Sequence, residues 1–252
     1  MNDDRISRLL IDRGQELFNA PKQQIIPFSQ HEEADALLNN IEEFPHAFVL
    51  GCIMDRQIRA ELAWVIPYHL AKKLGNFQFS TLKNLTSNKI EKLMSEPDPL
   101  HRYPKVMAGN IYTGIRLIED KYEGNAALIW GDKPSSATVV CRFLEFRGAG
   151  PKISTMATNI LARDFKVPLS DYFSIDISPD VHVKRVFKRL GLIEKDHSND
   201  ILIYRAKSIN PEFPGLLDLP TWEIGRNWCR PKNPQCDQCY MNAVCPFRLE
   251  KG

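Results

Sequence analysis

Four of the six cysteines stand close together near the end of the chain, in 229-CRPKNPQCDQCYMNAVC-245, in the order C-x6-C-x2-C-x5-C. No other stretch limits the fold so tightly, because four gathered thiols close the chain on itself around whatever they hold. Disulfides are rare in a reducing cytosol, where clustered cysteines mark a metal or catalytic site. Four thiolates can hold a zinc ion or a cuboidal iron–sulfur cluster. Zinc modules usually set their ligands as two close pairs, each forming a tight knuckle. Only Cys236 and Cys239 make such a pair, and Cys229 and Cys245 stand alone on either side. That spacing favours a 4Fe–4S cluster over zinc, and either over an empty loop. Pro231, Asn233, Pro234 and Asn242 supply the turns that wrapping requires. Arg226, Arg230, Lys232 and Arg248 surround the loop, as a solvated rim or as a surface for phosphate.

The rest of the chain reads as helix. Apolar residues at Ile6, Leu9, Leu10 and Leu17 predict a helix over 4–18, and Ser29 with Glu32 suggests a capping box for one ending near 43. Further helices are expected over 45–54, over 57–74 with a kink at Pro67, over 87–95 behind Thr86 or Ser87, and over 105–121. Others follow from Pro134 to about Phe146, over 151–162 and 181–190, and from Leu216 to Trp228. Residues 201–206 suit strand or helix, and 163–179 is irregular. The class is all-α. At 252 residues, 43% hydrophobic and 25% charged, the chain can fill one large or two modest cores. No run approaches the length of a membrane span, and MNDDRISRLLIDRGQELF lacks the apolar centre of a signal peptide. A cytoplasmic location is expected. The formal net charge of +2 permits nucleic-acid binding without arguing for it. Cys52 and Cys141, each in an apolar helical pattern, are expected to be buried.

Two helix starts carry chemistry. In 144-LEFRGAGPKIS-154, Gly148 and Gly150 flank Ala149, and Pro151 suits the first position of the following helix. A tight turn ending on a helix N-terminus can bind phosphate, and it can equally be a plain helix–helix turn. Lys152 lies in the first turn, where the helix dipole opposes an ammonium. A neutral amine there is a nucleophile able to form a Schiff base, and an ammonium there is a phosphate contact. In 179-PDVHVKRVFKRLGL-192, Asp180 is placed to cap a helix, which is worth about 1 kcal/mol. The same position holds a carboxylate ionised, ready to stabilise a developing cation.

In this order, LEFRGAGPKIS, PDVHVKRV and the cysteine spacing resemble the endonuclease III branch of the helix-hairpin-helix DNA glycosylase superfamily. The family hairpin reads L-P-G-x-G-x-K, which 146-FRGAGPK-152 matches apart from Phe-Arg for Leu-Pro. The catalytic stretch V-D-T-H-x-x-R-V is similar to 179-PDVHVKRV-186 in Asp180, His182, Arg185 and Val186. Upstream, 54-MDRQIRAELAW-64 resembles the segment whose glutamine enters DNA, which would be Gln57. The resemblance covers about residues 45–250. It implies two helical domains: a six-helix barrel with the helix-hairpin-helix over 45–165, and residues 1–44 plus 166–252 around the cluster. DNA would lie across the groove between them.

The implied activity is excision of a damaged or mispaired base from double-stranded DNA by a monomer, with the target nucleotide flipped out. In a prokaryote the protein would act at the nucleoid. Lys152 would attack C1′ and hold the sugar as a Schiff base, and elimination would then nick an abasic site. Asp180 would stabilise the cationic sugar. Gln57, Arg147, Gly148, Ala149, Gly150, His182, Arg185, Arg230 and Lys232 would contact DNA. Cys229, Cys236, Cys239 and Cys245 would hold a structural 4Fe–4S cluster. Lys152 and Asp180 stand 28 positions apart, more than in the family, because ARDFKVPLSDYFSIDISP lengthens the connection. Asp176 in that insertion is a rival carboxylate, but His182 and Arg185 fix the register on Asp180. Two alternatives remain open: a monofunctional glycosylase in which Asp180 activates water, and a lesion-binding module without chemistry.

Overall fold

In a computed structural model that describes residues 2–194 and 198–250, every regular element is helical. Positions 1, 195–197 and 251–252 belong to the expected cluster-bearing domain and lie outside the described residues. In chain order the α-helices are α1 (Asn2–Asn19), α2 (Glu32–Asn39), α3 (Pro45–Met54), α4 (Ala60–Trp64), α5 (Ile66–Leu74), α6 (Phe79–Leu82) and α7 (Ser87–Ser95). They continue as α8 (Pro104–Lys121), α9 (Ser136–Leu144), α10 (Pro151–Arg163), α11 (Val181–Arg189), α12 (Asn199–Ile209), α13 (Asp218–Asn227) and α14 (Pro246–Leu249).

Most starts follow local chemistry. Thr86 caps α7 by accepting from the Lys89 N–H at 3.3 Å, and Pro104 opens α8, where a missing N–H costs nothing. Three expectations change, and one open reading is decided. The Ser29–Glu32 capping box does not form, because the Ser29 N–H and hydroxyl both donate to Asp35 Oδ1 at 2.8 Å. His31 caps α2 instead, its Nδ1 accepting from the Ala34 N–H at 3.4 Å. Pro67 does not kink one long helix: the chain breaks at Val65, and Pro67 sits in the first turn of α5. Residues 201–206 are helical, within α12. Cys52 is buried, and burial pushes its thiol up, but Cys141 is exposed. Val139 and Phe143 set the buried side of α9, and Cys141, between them, points away from it.

The described chain divides into two compact units. The first comprises Met1–Lys22, Ser135–Ala137 and Thr158–Gly252, and the second Gln23–Pro134 and Thr138–Ala157. The second unit is built on α3, buried at every position, as its unbroken apolar sequence requires. It packs against α2, α4, α5, α8 and the 3₁₀ turn Ala126–Ile129. Phe48 stacks on Trp64, with centroids 5.9 Å apart, and meets Trp130 edge-on at 6.1 Å.

The first unit packs α11 against α13, with Ile6 and Leu10 of α1, Val183, Val186 and Phe187 of α11, and Leu202 of α12 in one core. Met241 and Val244 of the cysteine loop belong to the same core, and Cys229, Cys239 and Cys245 lie against it. The loop is therefore part of the hydrophobic interior of this unit.

Candidate functional site

In the second unit, residues 145–150 join α9 to α10 as a tight hairpin. Phe146 and Ala149 are buried, and the Ala149 N–H donates to the Phe146 carbonyl at 2.9 Å. Gly148 has φ +98°, and a Cβ there would stand 2.5 Å from Asn110 Nδ2. Its carbonyl accepts from Arg56 Nη1 at 3.0 Å. Gly150 differs: it has no positive φ, and nothing lies within 4 Å of an added Cβ. Of the two motif glycines, conformation demands only Gly148. Arg147 is exposed on the turn, and Lys152 is exposed in the first turn of α10.

Arg56 also anchors the loop that carries Gln57. The Tyr103 N–H donates to His101 Nδ1 at 3.0 Å, so the ring proton sits on Nε2, which donates to the Arg56 carbonyl at 3.0 Å. His101 is buried, and burial lowers its pKa, in keeping with this neutral tautomer. Gln57 is exposed and held at φ +56°, an uncommon conformation for a residue with a side chain. Sequence reasoning missed Arg56 and His101. No spacing rule links a histidine in a proline-rich linker to a loop some forty positions earlier.

In the first unit, Asp180 caps α11: Oδ1 accepts from the Val183 N–H at 2.7 Å, and the carboxylate is half-buried. The insertion leading to it is fastened throughout. Ser136 Oγ donates to Asp171, the Ser174 N–H donates to Ser136 Oγ at 3.0 Å, and the Ser178 N–H donates to Asp218 Oδ1 at 2.9 Å. Tyr172 stacks on Phe213 at 4.8 Å. The rival carboxylate Asp176 lies between buried Ile175 and Ile177 and pairs with Lys207 at 2.9 Å.

His182 is half-buried, and an added Cβ on Gly225 would stand 2.7 Å from its Cβ, so α11 and α13 touch there. Arg185 donates to the Cys229 carbonyl from Nε at 2.6 Å and to the Gly225 carbonyl from Nη2 at 2.8 Å. Its donors serve carbonyls at the end of α13 that the helix leaves unpaired. Arg185 thus fastens the capped helix to the start of the cysteine loop.

Cys229, Cys236, Cys239 and Cys245 all line one cavity, with Arg189, Trp228 and Phe247 among the other walls. Burial pushes the Cys239 thiol up to about 11; a Met241 backbone bond opposes the shift, and the sulfurs of Cys229, Cys245 and Cys236 add to it. Among the described residues, no three His, Cys, Asp or Glu side chains converge on a single metal ion. Arg230 and Lys232 are exposed on the loop.

No family model matches the sequence. Endonuclease III of Thermotoga maritima is 26% identical over 137 residues, 54% of this chain and 55% of the relative, so the match spans about half the length of that curated protein. Among solved structures, a trapped endonuclease III–DNA covalent intermediate aligns with a TM-score of 0.60 and 20% identity, covering 98% of both chains. A thermostable thymine-DNA glycosylase aligns at 0.61 and 14% identity over 97% of both. The chain shares the helical fold of these endonuclease III and thymine-DNA glycosylase structures. The joined helices α9 and α10 stand where the sequence resemblance places a helix-hairpin-helix.

Proposed function

We propose that the protein is a base-excision-repair DNA glycosylase with abasic-site lyase activity, acting on a damaged or mispaired base flipped from double-stranded DNA. One observation carries the reading: Lys152 and Asp180 each occupy a helix start, one exposed and one half-buried, on the two elements that the family uses for chemistry. In the reaction, Lys152 Nζ in its amine form attacks C1′ of the extruded nucleotide. The glycosidic bond breaks, and the base leaves with its electron pair and takes up a proton; the attached amine then loses a proton and the C1′–O4′ bond opens, O4′ taking up a proton, to give the protonated Schiff base. Loss of a proton from C2′ then expels the 3′ phosphate and nicks the strand. Asp180 stabilises positive charge on the sugar as the base departs. Arg147, Gly148, Ala149 and Gly150 present the hairpin to the backbone, and Gln57 fills the space the base vacates.

The cysteines fit a structural 4Fe–4S cluster. All four thiols line one cavity, and their spacing, one close pair with a single cysteine on either side, supports a cluster over zinc. A cuboidal core, with an iron at each of four corners, suits thiols spread around a cavity. When bound, the group supplies cross-linking of the loop that carries Arg230 and Lys232. No helix among the described residues is long and apolar enough to cross a membrane, and a cytoplasmic enzyme acting on chromosomal DNA accords with this reading.

Borohydride trapping on abasic duplex DNA tests the chemistry. The parent chain is expected to give a covalent adduct that Lys152→Ala loses, while binding stays within about threefold. Base release without an adduct would make the enzyme monofunctional. Binding to abasic DNA with neither adduct nor base release, across oxidised, deaminated, alkylated and mismatched substrates, would leave only a lesion-binding module.

A further inference from the structure

We propose that Arg189 is a positioning residue that gathers both ends of the cysteine loop and, through its hydrogen bond to Cys229, governs how firmly the cluster is held and at what potential. The inference rests on the cluster reading above. Arg189 is the last residue of α11. Nη1 donates to the Cys229 sulfur at 3.4 Å and to the Arg230 carbonyl at 2.7 Å, and Nη2 donates to the Pro231 carbonyl at 3.1 Å. Its guanidinium lies over the Phe247 ring, 4.3 Å from the centroid. Its own carbonyl accepts from the Cys245 thiol at 3.5 Å. Before loading, the first and last cysteines, with residues following each, thus meet on one residue.

These contacts divide by what they need. The bonds to Arg230 and Pro231 and the stacking on Phe247 need no metal, so Arg189 shapes the loop before loading. The bond to Cys229 Sγ gains strength once that sulfur is a thiolate, because the hydrogen bond becomes charge-assisted. A cluster ligated by four thiolates is a net anion in a half-buried site. A guanidinium against one of its sulfurs favours the more negative, reduced state and weakens the nucleophilicity of that sulfur. Hydrogen bonds to ligand sulfurs are a recognised control of cluster potential. Lysine cannot reproduce the arrangement: an ammonium supplies the charge but neither the planar fork nor the flat stacking face.

The test compares the full-length parent chain, isolated with its metal content intact, with Arg189→Lys, Arg189→Gln and Arg189→Ala. The readouts are iron and acid-labile sulfide per chain, the decay of the visible cluster absorbance under a chelator in air, and the cluster potential by film voltammetry without DNA. Far-ultraviolet circular dichroism confirms that each chain is folded. Lys184→Ala removes the same charge from the same helix, at a side chain with no hydrogen bond to the loop among the described residues, and should behave as the parent. Arg189→Gln is expected to lose its absorbance about tenfold faster, as the loss of one charge-assisted hydrogen bond allows, and to shift to a more negative potential. Arg189→Lys should keep more of the potential than of the retention. Folded Arg189→Lys and Arg189→Gln chains that load fully, decay at the parent rate and keep the parent potential would overturn the role of Arg189 alone. A parent chain isolated with zinc, or without iron and sulfide, would overturn the cluster reading and this inference together.

Discussion

Gly148 and Gly150 look equivalent in the stretch FRGAG, yet they do different work. Gly148 combines a left-handed backbone with a space that Asn110 and Arg56 close, and an added Cβ meets Asn110 Nδ2 at 2.5 Å. Gly150 has neither restriction. Gly148→Ala is expected to cost about 1–3 kcal/mol of unfolding free energy, since the residue must either hold a strained φ or displace its neighbours. Gly150→Ala should stay within about 0.5 kcal/mol of the parent. Urea unfolding of both variants checks this, and equal costs would mean that the hairpin does not depend on the conformation of Gly148. The sequence pattern marks both glycines because spacing is all it contains. Only the folded chain brings Asn110 and Arg56 to one of them, and those contacts lie far away along the chain. The same limit explains why Lys152 and Asp180 were legible as helix starts while Arg56, His101 and Arg189 were not: a cap is local, and a side chain bonded across tens of residues leaves no local trace.

Helix α11 shows how far an element can be read in advance. Its start is written in Asp180 and its buried stripe in Val183, Val186 and Phe187, all close in sequence. Local rules failed where a tertiary partner outcompeted them. Asp35 drew Ser29 away from the α2 cap, and the break at Val65 turned Pro67 from a kink into a helix start. The contact of α11 with α13 was equally hidden, since it depends on Gly225 having no side chain where the His182 backbone and Cβ arrive. Gly225→Ala places a Cβ 2.7 Å from the His182 Cβ. Neither atom belongs to a side-chain end that can rotate aside, so the helices must separate. The expected cost is about 1–3 kcal/mol, offset only partly by the better helix propensity of alanine. Separation would also stretch the Arg185 bonds to the Gly225 and Cys229 carbonyls. Thermal melting of Gly225→Ala should therefore fall, and the Arg185 Nε signal should lose protection from solvent exchange. A melting temperature at or above the parent value would show that the two helices have slack at this crossing.

For the molecule as a whole, the response to acid follows from histidines that the fold keeps neutral. His46 is buried with Nε2 2.7 Å from the Phe77 carbonyl, and burial, the larger effect, lowers its pKa against that bond. Burial likewise lowers the pKa of His101, and that of His69, where His31 and Lys73 add to the effect. In each case the unfolded chain takes up a proton at a higher pH than the folded one. The stabilisation is therefore complete above the ordinary histidine pKa of about 6.5 and is lost as pH falls from there through the lower folded values. Carboxylates remain largely ionised in both states down to about pH 5.5, so the histidines dominate this window. The melting temperature is expected to fall between about pH 7.5 and about pH 5.5. His46→Gln separates this term from the rest: the amide can keep the donor to Phe77 but cannot take up a proton. Its melting temperature should lie below that of the parent near neutrality, where packing is lost, yet decline less steeply as pH falls. A variant that tracks the parent slope would place the acid sensitivity in other groups and remove His46 as a cause.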